Sequence, residues 1–323
     1  MKIIFMGTPD FSVPTLKSLI NSEHEVVACY TQPDKPKGRG KKMQMTPVKE
    51  VCLEAGIPVY QPKRIRNRDE VELFQSIDAD IAVVIAYGQI LPKSILEAPK
   101  YGCLNIHASL LPKYRGAAPY QWAVINGETI TGLTTMQMDV GMDTGDMLLK
   151  TTIAIEKDET AGSLHDKLML PGGKLILETL ELVESNKLQP IQQIDEEATY
   201  APMLDKNYGK IDWAKEAVVI ERLIRGLNPW PSAYAMIDDH FLKIWASIIV
   251  DTDFIIENSV EEVIDYKNSD PGTIVLKIPK KGFVVKCGDG YLLINEVQYQ
   301  GKKRMDAPSF MRGFELPVGM RLV

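Results

Sequence analysis

The sequence predicts two domains: an α/β domain with a mostly parallel sheet, then a smaller all-β barrel domain. Three observations carry this. At 323 residues the chain is longer than the ~250 to 300 residues at which one core stops growing. Its first part alternates apolar strand-like runs with amphipathic segments. From about Lys210 the pattern changes to short runs separated by Gly, Asp and Pro turns, the spacing of a barrel.

Taken in order, KIIFMG, VPTLKSLINS, EVVACYTQ, TPVKEVCLEAG, IPVYQP, DEVELFQSI and DIAVVIAYG give a βαβαβ rhythm. The run from Ile81 to Ala86 is apolar at every position, which suits a central strand covered by helices on both faces. GCLNIHAS is the next strand. Further on, FLKIWASIIV, GTIVLKIP and GFVVKCGDGYLLINEVQ are the barrel runs. The expected division is a catalytic domain over 1–189, a linker over 190–206 and a second domain over 207–323. The first turn, MGTPDF, holds Gly7 alone and no GxGxxG, so the layout is Rossmann-like in topology without a dinucleotide signature. In LMLPGGKLILETL, Pro171, Gly172 and Gly173 interrupt what otherwise reads as a helix.

Composition excludes several classes. No apolar run approaches the ~20 residues of a membrane span, and the strand-like opening leaves no room for a cleavable signal, so a soluble cytoplasmic protein is expected. Cys29, Cys52, Cys103 and Cys287 are scattered without metal-ligand spacing. A net charge of -6 argues against a wholly basic nucleic-acid binder and leaves room for a local basic patch.

The chemistry starts at Asn105 and His107. Two apart on a strand, they project to one side at its carboxyl end, where open α/β sheets bind ligands. An amide donor beside an imidazole suits holding an oxyanion while a proton moves. An isolated Asn-x-His is more often a turn cap and a satisfied histidine, so the context decides. MQMDVGMDTGD supplies a Gly- and Asp-rich loop able to bring a carboxylate to the imidazole. Between strand and helix, DKPKGRGKK crowds Lys35, Lys37, Arg39, Lys41 and Lys42 into a loop longer than the usual ~2 to 6 residues.

Together IIFMGTPDF, TQPDKPKGRGKK, NIHASLLPKYRGAAP and MQMDVGMDTGD resemble the methionyl-tRNA formyltransferase family, in order and spacing over nearly the whole chain. NPWP, Asn228 to Pro231, and the barrel-like tail resemble its second domain, an OB-like fold. The resemblance implies transfer of formyl from 10-formyltetrahydrofolate to the α-amine of methionine on initiator tRNA, for translation initiation, by a monomer needing no metal. It places the catalytic residues at Asn105, His107 and Asp143. Folate binding falls on Ser109, Leu110, Leu111 and Pro112, with Ala86, Tyr87, Gly88, Gln89, Ile90 and Leu91 as a backbone wall for the pterin. The tRNA falls to Lys35, Lys37, Arg39, Lys41 and Lys42, on a loop expected to be flexible until RNA binds. From Asn207 onward basic and acidic residues nearly balance, so RNA contact there needs a one-sided patch, with Lys280, Lys281 and Lys302 to Arg304 the candidates. Two other readings stay open: a folate-dependent formyltransferase or hydrolase acting on a small substrate such as an amino sugar nucleotide, and a catalytically silent RNA-binding module.

Overall fold

Strand β1 (Lys2–Gly7), buried from Ile3 onward, lies inside a seven-stranded sheet, as its unbroken apolar run requires. The computed structural model describes residues 1–37, 42–259 and 265–323. Beside β1 come β2 (Glu25–Tyr30), then the ribbon pair β3 (Lys35–Lys37) and β4 (Lys42–Gln44), then β5 (Val59–Tyr60), β6 (Ile81–Ile85) and β7 (Cys103–His107). A short β8 (Arg115–Gly116) precedes β9 (Ile130–Gln137) and β10 (Met147–Ala154), and β11 (Tyr200–Ala201) returns to pair with β8. The sheet order is β10-β9-β7-β6-β1-β2-β5, parallel from β5 to β7 and antiparallel at β9 and β10. The expected mostly parallel sheet is therefore present.

Helices follow the expected segments. The helix Pro47–Glu54 starts where its sequence signals, with Thr46 accepting a hydrogen bond from Lys49 N at 3.2 Å and proline in the first turn. Such a cap is worth about 1 kcal/mol. The Pro171-Gly172-Gly173 interruption divides helix Ala161–Leu168 from helix Gly172–Glu184. The glycines have a packing reason: a Cβ on Gly172 would lie 2.7 Å from Thr15 Oγ1, and one on Gly173 2.0 Å from Ser18 Oγ. Bare backbone lets this helix approach helix Val13–Ile20 closely.

The chain divides into two compact units, and the division differs from the expected one. Unit one holds 1–119, 130–154 and 164–202; unit two holds 120–129, 155–163 and 203–323. Residues 190–202 thus fold with the sheet, because β11 pairs with β8 and Ile191 exchanges backbone hydrogen bonds with Met147. Conversely, 120–129 and 155–163 pack on helix Ala217–Gly226. Arg225 donates to Glu159 O at 2.8 Å, and a Cβ on Gly226 would meet Ile125 Cγ1 at 2.4 Å.

Unit two is built on an antiparallel sheet of β12 (Ala233–Ile237), β13 (His240–Val250), β14 (Ile274–Ile278), β15 (Gly282–Lys286), β16 (Tyr291–Tyr299) and β17 (Met305–Asp306). Its path is β12-β13-β16-β15-β14, with β17 against β16. The C-terminal tail completes the ring. Met236 and Val323 exchange hydrogen bonds on one side, while Gly319 N donates to Ile274 O and Ile274 N to Met320 O on the other. Inside lie Trp213, Ile220, Ile224, Phe283 and Ile294, the apolar face of helix Ala217–Gly226 among them. Among the described residues no helix is long and apolar enough to cross a membrane.

Candidate active site

The chain runs from β1 to β2 and β5 on one side, then returns to lay β6 and β7 on the other. Ligands of open α/β sheets bind beyond the carboxyl ends of strands at such a reversal. Val84 pairs with Asn105, so Ala86 and His107 lie level at the ends of β6 and β7. Asn105 is half-buried and His107 is 6% exposed.

Both nitrogens of His107 face protein groups. Nε2 lies 2.8 Å from Tyr114 O, and because a carbonyl can only accept, Nε2 carries a proton and donates. Nδ1 faces Asp143 Oδ2 at 3.6 Å, too far for a hydrogen bond and near enough for charge attraction.

Asp143 sits in the left-handed region at φ 56, which non-glycine residues adopt rarely. Several bonds hold it there. Gly116 N donates to Oδ2 at 2.9 Å, and Gln193 Nε2 donates to the Asp143 carbonyl at 2.8 Å and to that of Gly145 at 2.7 Å. Gly116 itself has φ 122, and a Cβ there would lie 2.6 Å from Ala201 O, so only glycine fits. Earlier in the loop, Gly141 N and Thr144 Oγ1 both donate to Asp139 Oδ1, a side-chain turn that closes it. The structure thus brings Asp143 to His107, with Asn105 two residues earlier on the same strand.

The segment expected to hold folate is partly committed to packing. Ser109 is buried and its hydroxyl donates to Lys113 O at 2.6 Å. Leu111 is buried with Met136 and Met147, and its carbonyl accepts from Lys150 Nζ. Leu110 and Pro112 are half-buried. In the expected pterin wall, Tyr87 and Leu91 belong to the sheet core, and Gln89 accepts from Ile65 N and donates to Pro62 O. Ala86, Gly88 and Ile90 are exposed, with Ala86 and Gly88 at positive φ (49 and 88), which turns their backbone outward from the sheet end.

On the basic loop, Arg39 and Lys41 lie outside the described residues. Lys37 and Lys42 pair across the β3–β4 ribbon, and Lys35 is exposed at its base. The described arms of the loop are therefore paired as a ribbon. They spring from an anchored base: Lys49 Nζ donates to Asp34 Oδ2 and Gln61 Oε1, and Gln61 Nε2 to Asp34 Oδ1, each at 2.7 Å. Hydrogen bonds from Lys49 and Gln61 hold the Asp34 carboxyl below the usual carboxylate range. In the barrel patch, Arg304 lies over the Trp245 ring at 4.7 Å and makes a forked ion pair with Glu296, which offsets its charge.

Residues 1–180 match the family described as formyl transferase, and 203–315 match formyl transferase, C-terminal domain, which defines the class as a two-domain formyl-group transferase. The methionyl-tRNA formyltransferase of Agathobacter rectalis is 53% identical over 319 residues, 99% of this chain and 98% of its own. That of Clostridioides difficile is 48% identical over 322 residues, covering both chains in full. The chain belongs to the methionyl-tRNA formyltransferase family. Solved structures agree in fold: WlaRD, a sugar 3N-formyl transferase, superposes with TM-score 0.67 at 21% identity over 94% of this chain and 99% of its own. HypX from Aquifex aeolicus, solved in complex with tetrahydrofolic acid, does so with TM-score 0.58 at 16% identity over 97% of this chain and 47% of its own.

Proposed function

We propose that this formyltransferase moves the formyl group of 10-formyltetrahydrofolate to the α-amine of methionine on charged initiator tRNA. The observation that carries the mechanism is the placing of His107, with Nε2 fixed on Tyr114 O and Nδ1 directed at Asp143. The neutral amine attacks the formyl carbon and gives a tetrahedral intermediate bearing an oxyanion and an ammonium. The Asn105 amide and the Nδ1 proton of the imidazolium donate to that oxyanion. Each such donor is worth about 3 to 4 kcal/mol in the transition state. Asp143 holds the imidazolium charge and, through a water, takes the proton from the ammonium. As the carbon–N10 bond breaks, that proton ends on N10 of tetrahydrofolate and the balance closes.

Folate lies along the exposed backbone of Ala86, Gly88 and Ile90 and the turn Ser109 to Pro112. The tRNA is met by Lys35, Lys37, Arg39, Lys41 and Lys42, whose charges neutralise phosphates and position the aminoacyl end. The test is formyl transfer from 10-formyltetrahydrofolate to charged initiator tRNA, with free methionine, uncharged tRNA and amino sugar nucleotides as controls. Preferred transfer to an amino sugar nucleotide would overturn the choice of acceptor.

A further inference from the structure

Residues 191–201 fall outside both matched family regions and none was singled out by motif, yet they cross directly beside the site. Ile191 is hydrogen-bonded to Met147 in both directions, and Thr199 Oγ1 accepts from Tyr114 N, the residue whose carbonyl holds His107. The central contact is Gln193. It is 7% exposed, and both ends of its amide are hydrogen-bonded. Oε1 accepts from Arg115 Nε at 3.0 Å, and Nε2 donates to Asp143 O and Gly145 O. An arginine only donates and a carbonyl only accepts, so the amide orientation is set by its partners. Arg115 is in turn buried, at 2% exposure, and its other end donates to Asp195 Oδ1 at 2.9 Å.

We propose that Gln193 is a positioning residue for formyl transfer: its amide, oriented by Arg115, holds the backbone at Asp143 and so sets the carboxylate against His107. Asp143 occupies a left-handed conformation that costs a non-glycine residue energy, and the two carbonyl hydrogen bonds on either side of Thr144 offset that cost. The inference rests on Asp143 having the role given above. Both amide hydrogens of Gln193 go to backbone carbonyls, so it acts through the backbone.

The test is kcat and KM for both substrates, with thermal melts, on the full chain carrying Gln193→Ala, Gln193→Glu, Asp143→Ala and the double change Gln193→Ala with Asp143→Ala. Gln193→Glu keeps the acceptor for Arg115 and loses both donors. Both single Gln193 variants should lose about 10- to 100-fold in kcat, the effect of misplacing a catalytic group. KM for folate and for tRNA should stay within about twofold of the wild type, since ground-state binding is untouched. In the Asp143→Ala background the Gln193 change should cost almost nothing more, as expected of residues acting through one another. Wild-type kcat in Gln193→Glu, an undiminished loss in the Asp143→Ala background, or failure of both single variants to fold would each overturn the proposal. If Asp143→Ala alone keeps full turnover, the role of Asp143 itself is what fails, and the proposal with it.

Discussion

His107 Nε2 donates to Tyr114 O at 2.8 Å, which leaves Nδ1, the nitrogen facing Asp143, for the role proposed above. The family motif points to the histidine; the choice of nitrogen comes from a residue seven positions later whose own amide is pinned by Thr199. Truncating either donor should therefore act on turnover. Asn105→Ala and His107→Ala should each lower kcat by on the order of 10² or more while the protein still folds. Folded variants with near wild-type turnover would take these residues out of the mechanism.

Gly116 gives a sharper test of the Asp143 carboxylate. Its N–H is the hydrogen-bond donor to Oδ2, and the backbone leaves no room for a methyl group. Gly116→Ala should destabilise the protein by more than about 1 kcal/mol through strain at positive φ. It should also lower kcat, since it removes the donor that holds the Asp143 carboxylate. A variant with full stability and turnover would show that the β8–β11 pairing yields without cost.

The ribbon base predicts a pH dependence. Asp34 titrates below its ordinary value when folded, so it stabilises the fold above the unfolded-state value, and the contribution disappears as pH falls through the folded one. Asp34→Asn should cost stability at pH 7, and that cost should shrink as pH falls below the ordinary carboxylate range and through the lowered folded-state value. Denaturant melts at neutral and at acid pH decide it. A cost independent of pH would assign the effect to packing instead of charge.

Arg39→Ala tests the acceptor side. Its guanidinium can fork onto a phosphate as lysine cannot, so its loss should raise KM for charged tRNA and flatten the salt dependence of tRNA affinity, leaving folate binding nearly unchanged. Equal loss for both substrates, or none for tRNA at any salt, would return the loop to ordinary surface.

The sheet was legible because central parallel strands announce themselves: Ile81 to Ile85 is apolar throughout and buried throughout. Asn105 and His107 stood out by their spacing of two on a strand and Asp143 by the family resemblance of its loop, and the fold brings the imidazole and that carboxylate to 3.6 Å. Gln193 and Thr199 carry no such signal. Each is a single polar residue in an irregular segment, meeting a partner 50 or 85 positions away. Arg115 stood within a recognised motif, yet nothing local shows that its guanidinium turns inward. Of the segments expected to line the folate pocket, Tyr87, Leu91 and Leu111 are apolar for the core's sake, which an apolar residue type cannot by itself distinguish from a pocket lining. The closure of the barrel by its tail was not legible, because Gly319 to Val323 is too short to read as a strand.

The interleaving of the two units bears on how members of this family could exchange halves. A chimera spliced at residue 190 would join a sheet from one parent to a Gln193 and a β11 from another, and would mismatch the very backbone that shapes the loop around Asp143. A splice after Pro202 keeps that backbone with its own sheet. It still strands 120–129 and 155–163, which pack with helix Ala217–Gly226, in the wrong parent. A faithful graft therefore needs those two insertions to travel with the barrel, so the unit to exchange is a set of three separated stretches of chain.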